Sequence, residues 1–234
     1  MKLTIKNLKK CQKNDEDILT RTYTRNISII FTKYLVQTSL TPNQITIIGF
    51  SVTLLASLIL TNGTYFYFII SSILVQLSLI FDCADGEVSR FKKMTSNFGK
   101  WLDSLLDRIC VIILILALSI GFYQQMKNLS VLLLGMITIF SFYLSELIDT
   151  PIKGRTNSSR KYNSEIIKKI AKILRIKFSY IGYSATLIRV IISVGLLLNN
   201  VYFIFGFFIL TLNSISLITF IRAYASTKNY KEVI

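Results

Sequence analysis

Long apolar stretches dominate this chain, more of them than a water-soluble core of its size could absorb. Six stand out, at positions 44–60, 65–80, 101–122, 129–148, 179–198 and 202–221 of 234. About 20 largely apolar residues make one helical crossing of a bilayer. A backbone in hydrocarbon must also satisfy its own hydrogen bonds, which a helix does. The fold class expected is an all-α integral membrane protein with six transmembrane helices.

The links between the stretches alternate in charge. Eight Lys and Arg precede position 44, four lie in 82–100 and nine in 153–177, and Arg222, Lys228 and Lys231 follow the last stretch. The links at 61–64 and 199–200 carry none, and 124–128 carries only Lys127. By the positive-inside rule both termini and the charged links face the cytoplasm. An even number of spans demands the same, so a multi-pass protein of the cell membrane is expected. The net charge of +15 would suit nucleic acid, but the cations sit beside apolar spans, where anionic lipid headgroups account for them. No nucleic-acid partner is expected.

Three regions follow. Residues 1–40 form a cytoplasmic segment, 41–224 the six-helix membrane domain and 225–234 a cytoplasmic tail. In the first, Ile18, Tyr23, Ile27, Ile30, Phe31, Tyr34 and Leu35 recur near helical spacing with Arg21, Arg25 and Lys33 between them. That pattern predicts an amphipathic helix lying in the membrane interface. Thr41 and Pro42 suit the cap and first turn of the first span. The second helix should run on to about Lys92, 93–97 should turn, and the third should start near Phe98 as its antiparallel neighbour. Pro151 and Gly154 should break the fourth helix, and 164–176 could form a short basic surface helix.

The chemistry lies at the junction of the second and third helices. Asp82, Asp85, Asp103 and Asp107 stand in the pattern D-x2-D-G-x2-S-R-x8-G-x3-D-x3-D. Spacings of three and four put each pair on one helix face. Two such helices joined by a tight turn can bring both pairs together, and four carboxylates so gathered would repel one another without a cation. No histidine is present and the three cysteines lack ligand spacing, which excludes His-based triads and His-ligated zinc. Oxygen ligands alone point to Mg²⁺ or Mn²⁺, with room for two ions of the kind that serve phosphoryl transfer. Gly86 and Gly99 are costly inside helices and suggest that something approaches closely. A nucleotide beside the metals would fit, with Arg90 for a phosphate and Ser96 offering a hydroxyl.

The pattern resembles the signature of the CDP-alcohol phosphotransferase (phosphatidyltransferase) family, with Ser89 where an alanine is usual. Thr41, Pro42, Asn43 and Thr46 at the start of the first span are also similar to that family. The resemblance implies that Asp82, Asp85, Asp103 and Asp107 bind the metals and that Asp107 is also the catalytic base. It implies that Asn43, Thr46, Asp82, Gly86, Arg90 and Ser96 bind CDP. The expected reaction is attack of an alcohol on the β-phosphorus of a CDP-alcohol with release of CMP, by a homodimer.

For the acceptor, Lys153, Arg155, Arg160 and Arg189 are candidates to bind a sugar or polyol phosphate. Snorkelling explains the loop residues equally well, and an ion pair with Glu146 would explain Arg189. The wording around the aspartates is most similar to inositol-phosphate-using members, one group of which makes di-myo-inositol phosphate phosphate from CDP-inositol. The cytidylyltransferase domain usual in that group has no counterpart in these residues. That leaves a lone partner of a separate cytidylyltransferase, or a phospholipid synthase using a CDP-diradylglycerol. The rival from another class is an ion-coupled transporter with an acidic cation site.

Overall fold

The computed structural model describes residues 4–12, 19–156 and 185–231, with the backbone alone at 149–156 and 221–231. Every regular element among them is helical. Short α1 (Ile5–Lys9) is followed by a π-helical turn (Thr20–Thr24) that feeds α2 (Arg25–Leu35). Then come α3 (Pro42–Leu60), α4 (Tyr65–Phe91), α5 (Asn97–Met126), α6 (Leu129–Thr156), α7 (Ala185–Leu197) and α8 (Val201–Lys231). Within these, α3, α4, α5 and the stretch Leu129–Ile148 are long and apolar enough to cross a membrane, and Thr186–Leu197 and Val201–Leu217 are shorter apolar helices. This is the architecture of an integral all-α membrane protein. Side chains such as Leu58, Phe66, Phe140 and Leu210 are 68–71% exposed. In water such faces would drive aggregation. Against lipid they are solvated.

Local chemistry sets the boundaries nearest the aspartates. Thr41 Oγ1 accepts from the Gln44 N–H at 3.4 Å and Gln44 Oε1 accepts from the Thr41 N–H at 2.9 Å, a capping box with Pro42 in the first turn. Helix α4 ends at Phe91 because Lys93 takes a left-handed φ of 57°, letting the Met94 N–H reach the Ser89 carbonyl at 2.8 Å. Lys92 Nζ donates to the carbonyls of Thr38 and Leu40 at 2.7 and 2.9 Å, tying this end to the α2–α3 link. Ser96 Oγ then caps α5 by accepting from the Gly99 N–H at 2.9 Å. The second helix and its turn therefore match expectation to within a residue.

Helices α4 and α5 run antiparallel from their short turn, and α3 packs closely on both. The pair meets at its far end, where Phe68 and Phe122 lie 4.6 Å apart between ring centroids, and at the aspartates. Two expectations are corrected. First, α6 continues through Pro151 and Gly154 to Thr156. Proline removes one backbone donor and glycine costs entropy, and the ladder on either side continues. The predicted helix over 164–176 lies outside the described residues.

The second correction concerns α2, which is amphipathic but buries a polar stripe. Thr24, Arg25, Ser28 and Thr32 face α4, with Ile29, while Tyr23, Ile30 and Tyr34 stay exposed. The reason is Glu87 on α4, fully buried. Its Oε1 accepts from Arg25 Nη1 at 2.9 Å, Ser28 Oγ at 2.9 Å and Gln12 Nε2 at 3.0 Å, and its Oε2 accepts from Thr32 Oγ1 at 2.5 Å. Arg25 Nη1 also donates to the Cys83 carbonyl at 2.9 Å. Arg25, placed by the sequence among the polar positions of an interfacial helix, is instead the tether that holds this helix to α4.

Breaking a buried pair on one side strands the other charge at a cost of about 3–5 kcal/mol. Arg25→Ala should lower the unfolding temperature in detergent markedly. The double variant Arg25→Met/Glu87→Met should recover most of the loss, because both charges are then gone.

Candidate active site and metal centre

Asp82, Asp103 and Asp107 are gathered by the near ends of α4 and α5, each offering a carboxylate oxygen within 4.8 Å of the other two. Helical spacing puts Asp103 and Asp107 on one face of α5, and the capped α4–α5 turn brings Asp82 across to them. The ligands are oxygens, neither thiolate nor imidazole, at partly buried positions, and such a set fits a hard divalent cation. Asp85 is not part of this trio. Only 5% exposed, it accepts from Thr46 Oγ1 of α3 at 2.5 Å, and Thr46 Oγ1 also lies 3.1 Å from the Pro42 carbonyl.

Arg189 of α7 enters the same space. Its Nη1 lies 3.2 Å from Asp82 Oδ2 and its Nη2 2.9 Å from Asp107 Oδ1, and the side chain is 4% exposed. Gln76 of α4 holds this stretch of α7, donating to the Arg189 carbonyl at 3.2 Å and to Ser193 Oγ at 2.7 Å. The expected partner Glu146 instead pairs with Arg108, 3.1 Å away at a half-exposed position. Arg108 directly follows Asp107 and so points off the face that Asp107 occupies, toward α6, whereas α7 aims Arg189 between α3, α4 and α5. Three carboxylates face one guanidinium here, an excess of acidic groups that a divalent ion would balance.

Two cavities adjoin at this point. The inner one is small, about 10 Å³, and is lined by Thr46, Gly49, Phe50, Ser78, Asp82, Asp103, Leu106, Asp107, Cys110 and Arg189. The outer one, about 170 Å³ and open to solvent, is lined by Pro42, Asn43, Thr46, Asp85, Gly86, Ser89, Arg90, Met94, Thr95, Ser96, Gly99, Lys100 and Asp103. Thr46 and Asp103 border both. Of the residues expected to bind CDP, Asn43, Thr46, Gly86, Arg90 and Ser96 line the outer cleft, whereas Asp82 lines the inner one.

The two motif glycines have local reasons. A Cβ on Gly86 would stand 3.2 Å from Arg90 Nη1, so the missing side chain lets the guanidinium lie back over the helix. A Cβ on Gly99 would meet Asn43 Oδ1 at 2.9 Å, so that glycine admits the Asn43 amide from α3. Both glycines also line the outer cleft.

Sequence reasoning missed Lys100, a cation beside Gly99 in the outer cleft, and Ser78 and Cys110 in the inner one. Their helical registers, four residues before Asp82 and three after Asp107, are the signal that could have found the last two. Lys153 and Arg155 belong to the end of α6 described by backbone alone, and Arg160 lies outside the described residues.

Comparison with known proteins agrees with this geometry. Residues 39–219 match the family model for CDP-alcohol phosphatidyltransferase. The chain belongs to that family, whose members are transferases. A bifunctional IPC transferase and DIPP synthase of Aquifex aeolicus is 37% identical over 93 residues, 40% of this chain and 21% of that protein. An archaetidylinositol phosphate synthase of Pyrococcus horikoshii is 36% identical over 91 residues, 38% of this chain and 46% of that protein. The chain thus spans less than half of either relative. Phosphatidylinositol phosphate synthase of Mycobacterium tuberculosis, solved with CDP-DAG bound, shares the fold with a TM-score of 0.58 at 18% identity, covering 84% of this chain and 91% of that one.

Removing one carboxylate from the trio should weaken divalent binding directly. Asp103→Asn should raise the Kd for Mn²⁺, read by titration calorimetry or electron paramagnetic resonance, by about 10-fold or more, equivalent to ~1.4 kcal/mol. Lys127→Ala, at the opposite end of α5, should leave it unchanged.

Proposed function

We propose that this chain transfers a substituted phosphate from a CDP-alcohol to the hydroxyl of a small polar acceptor, releasing CMP. The observation that carries this reading is the meeting of Asp82, Asp103 and Asp107 beside a cleft lined by Asn43, Gly86, Arg90 and Ser96. The cleft would take the CDP diphosphate, with Arg90 and Lys100 supplying positive charge and Asn43 and Ser96 neutral hydrogen-bonding groups. Thr46 holds Asp85 in the wall between α3 and α4. A divalent ion, Mg²⁺ or Mn²⁺, held by the aspartates would draw charge from the diphosphate oxygens and favour departure of CMP. One ion fits the trio, and a second would call on Asp85.

Asp107 is the proposed base. It shares the inner cavity with Arg189, which bonds to its Oδ1, and a base must come within hydrogen-bond reach of the acceptor hydroxyl. A buried guanidinium in that cavity also suits an acceptor that carries phosphate. The similarity to an archaetidylinositol phosphate synthase favours such an acceptor. The donor is then a CDP-diradylglycerol or a CDP-polyol. A stand-alone synthase of the di-myo-inositol phosphate phosphate type, using CDP-inositol, is the second reading, supported by the 37% identity to the Aquifex aeolicus protein.

The two shorter apolar helices, Thr186–Leu197 and Val201–Leu217, would complete six crossings, with both termini and the aspartate end cytoplasmic. The exposed Tyr23, Ile30 and Tyr34 of α2 would then rest on the interface. The working unit is proposed to be a homodimer.

The purified protein should release CMP from CDP-diacylglycerol with Mg²⁺ or Mn²⁺ and lose this activity to chelator. Comparing inositol phosphate, glycerol phosphate and serine should identify the acceptor. Asp107→Asn should cost at least about 100-fold in kcat, the usual scale of a lost general base. No CMP from any donor and acceptor, or full activity in Asp107→Asn, would sink the proposal.

A further inference from the structure

We propose that the N-terminal segment 4–12 belongs to the nucleotide site, acting as a strap that positions Arg90. The inference rests on the reading of the outer cleft as the CDP site and adds a part of the chain that the motif does not contain. Arg90 stands near the exit of α4, where a long side chain has many rotamers. Two contacts help to select one. Gly86 leaves space on one side, with Nη1 3.2 Å from where its Cβ would be. On the other, Arg90 Nε donates to the backbone carbonyl of Cys11. A neutral carbonyl orients a guanidinium without adding a countercharge of its own.

The carbonyl is itself fixed. Thr4 Oγ1 caps α1 by accepting from the Asn7 N–H at 3.3 Å. Leu8 is fully buried, and the Cys11 N–H returns to the Leu8 carbonyl at 2.9 Å. The next residue, Gln12, plugs into the buried Glu87 cluster, its Nε2 donating at 3.0 Å to both Glu87 Oε1 and the Arg25 carbonyl. Glu87 and Arg90 are three apart on α4 and share a face. Two consecutive strap residues therefore engage both, Gln12 as anchor and Cys11 as guide. Immobilising a long side chain is one of the costs of binding, and the strap meets it before the nucleotide arrives. Gln12 and Cys11 act through Arg90 and touch neither substrate nor metal, so they are positioning residues.

The test compares the parent chain, a variant lacking residues 2–12, Gln12→Ala, Arg90→Ala, and the deletion combined with Arg90→Ala. Two quantities are read: the Kd for CDP by calorimetry and the steady-state kinetics of CMP release from CDP-diacylglycerol. The deletion should raise the Kd for CDP and the KM for the donor by about 3- to 10-fold, the range for one unordered side chain. It should leave kcat within about 2-fold. Gln12→Ala, which keeps Leu8 and the rest of the strap, should shift both in the same direction by less, and it carries the test if the deletion does not fold. In the Arg90→Ala background the deletion should cost nothing further, since the two losses are one interaction. Unchanged CDP affinity in the deletion, or equal losses with and without Arg90, would overturn the strap. A parent chain that neither binds CDP nor releases CMP would overturn the reading of the cleft itself, and the strap with it.

Discussion

A carboxylate at the edge of hydrocarbon must be paired, hydrated or bound to a cation, and the region around α4 is organised by that demand. Helix α4 carries acidic groups on two faces. On one, Glu87 is fully buried and its two oxygens accept from Arg25, Ser28, Thr32 and Gln12. On the other, Asp82 joins Asp103 and Asp107 of α5 around a single guanidinium, Arg189. The first cluster is closed and structural. The second is short of positive charge and faces two cavities, the condition in which a divalent ion and a phosphorylated ligand bind favourably.

The helix arrangement serves the second cluster. Because α3 packs on both α4 and α5, those two helices touch at their ends and leave a cleft between. The same helix brings Thr46 to Asp85 and Asn43 to Gly99, so the start of α3 supplies one wall of the outer cleft. Helix α7 completes the inner cavity with Arg189. Capping decides where the walls stop: the left-handed Lys93 ends α4, and Ser96 starts α5 only a few residues later. The turn is thereby short enough to hold Asp85, Arg90, Ser96 and Asp103 around one space.

Much of this was legible from the chain. Apolar stretches of crossing length, separated by links alternately rich and poor in cations, announce a helical membrane protein. The spacing of the four aspartates announces a convergence at one end of a helix pair, since periodicity acts within single elements. What could not be read was pairing between elements. Arg25 was placed only among the polar positions of an interfacial helix, because its partner Glu87 is 62 positions away. For Arg189 an ion pair with Glu146 was one of two explanations, yet α7 turns it toward Asp82 and Asp107.

By itself, the sequence determined the class of fold, the helix ends around the signature and the residue types of a hard-cation site. Each follows from local rules: hydropathy over a crossing length, capping groups and helical period. Only the tertiary structure decided that three aspartates rather than four share one point, that Asp85 turns to Thr46, and that Arg189 neutralises part of the cluster. It also decided that a polar stripe of α2, with Gln12, gathers on Glu87 of the same helix, and that Cys11 meets Arg90. Those outcomes depend on which charges end up within about 3–4 Å in a medium of low dielectric, where pairing energies are large, and that proximity is set by helices distant in the chain.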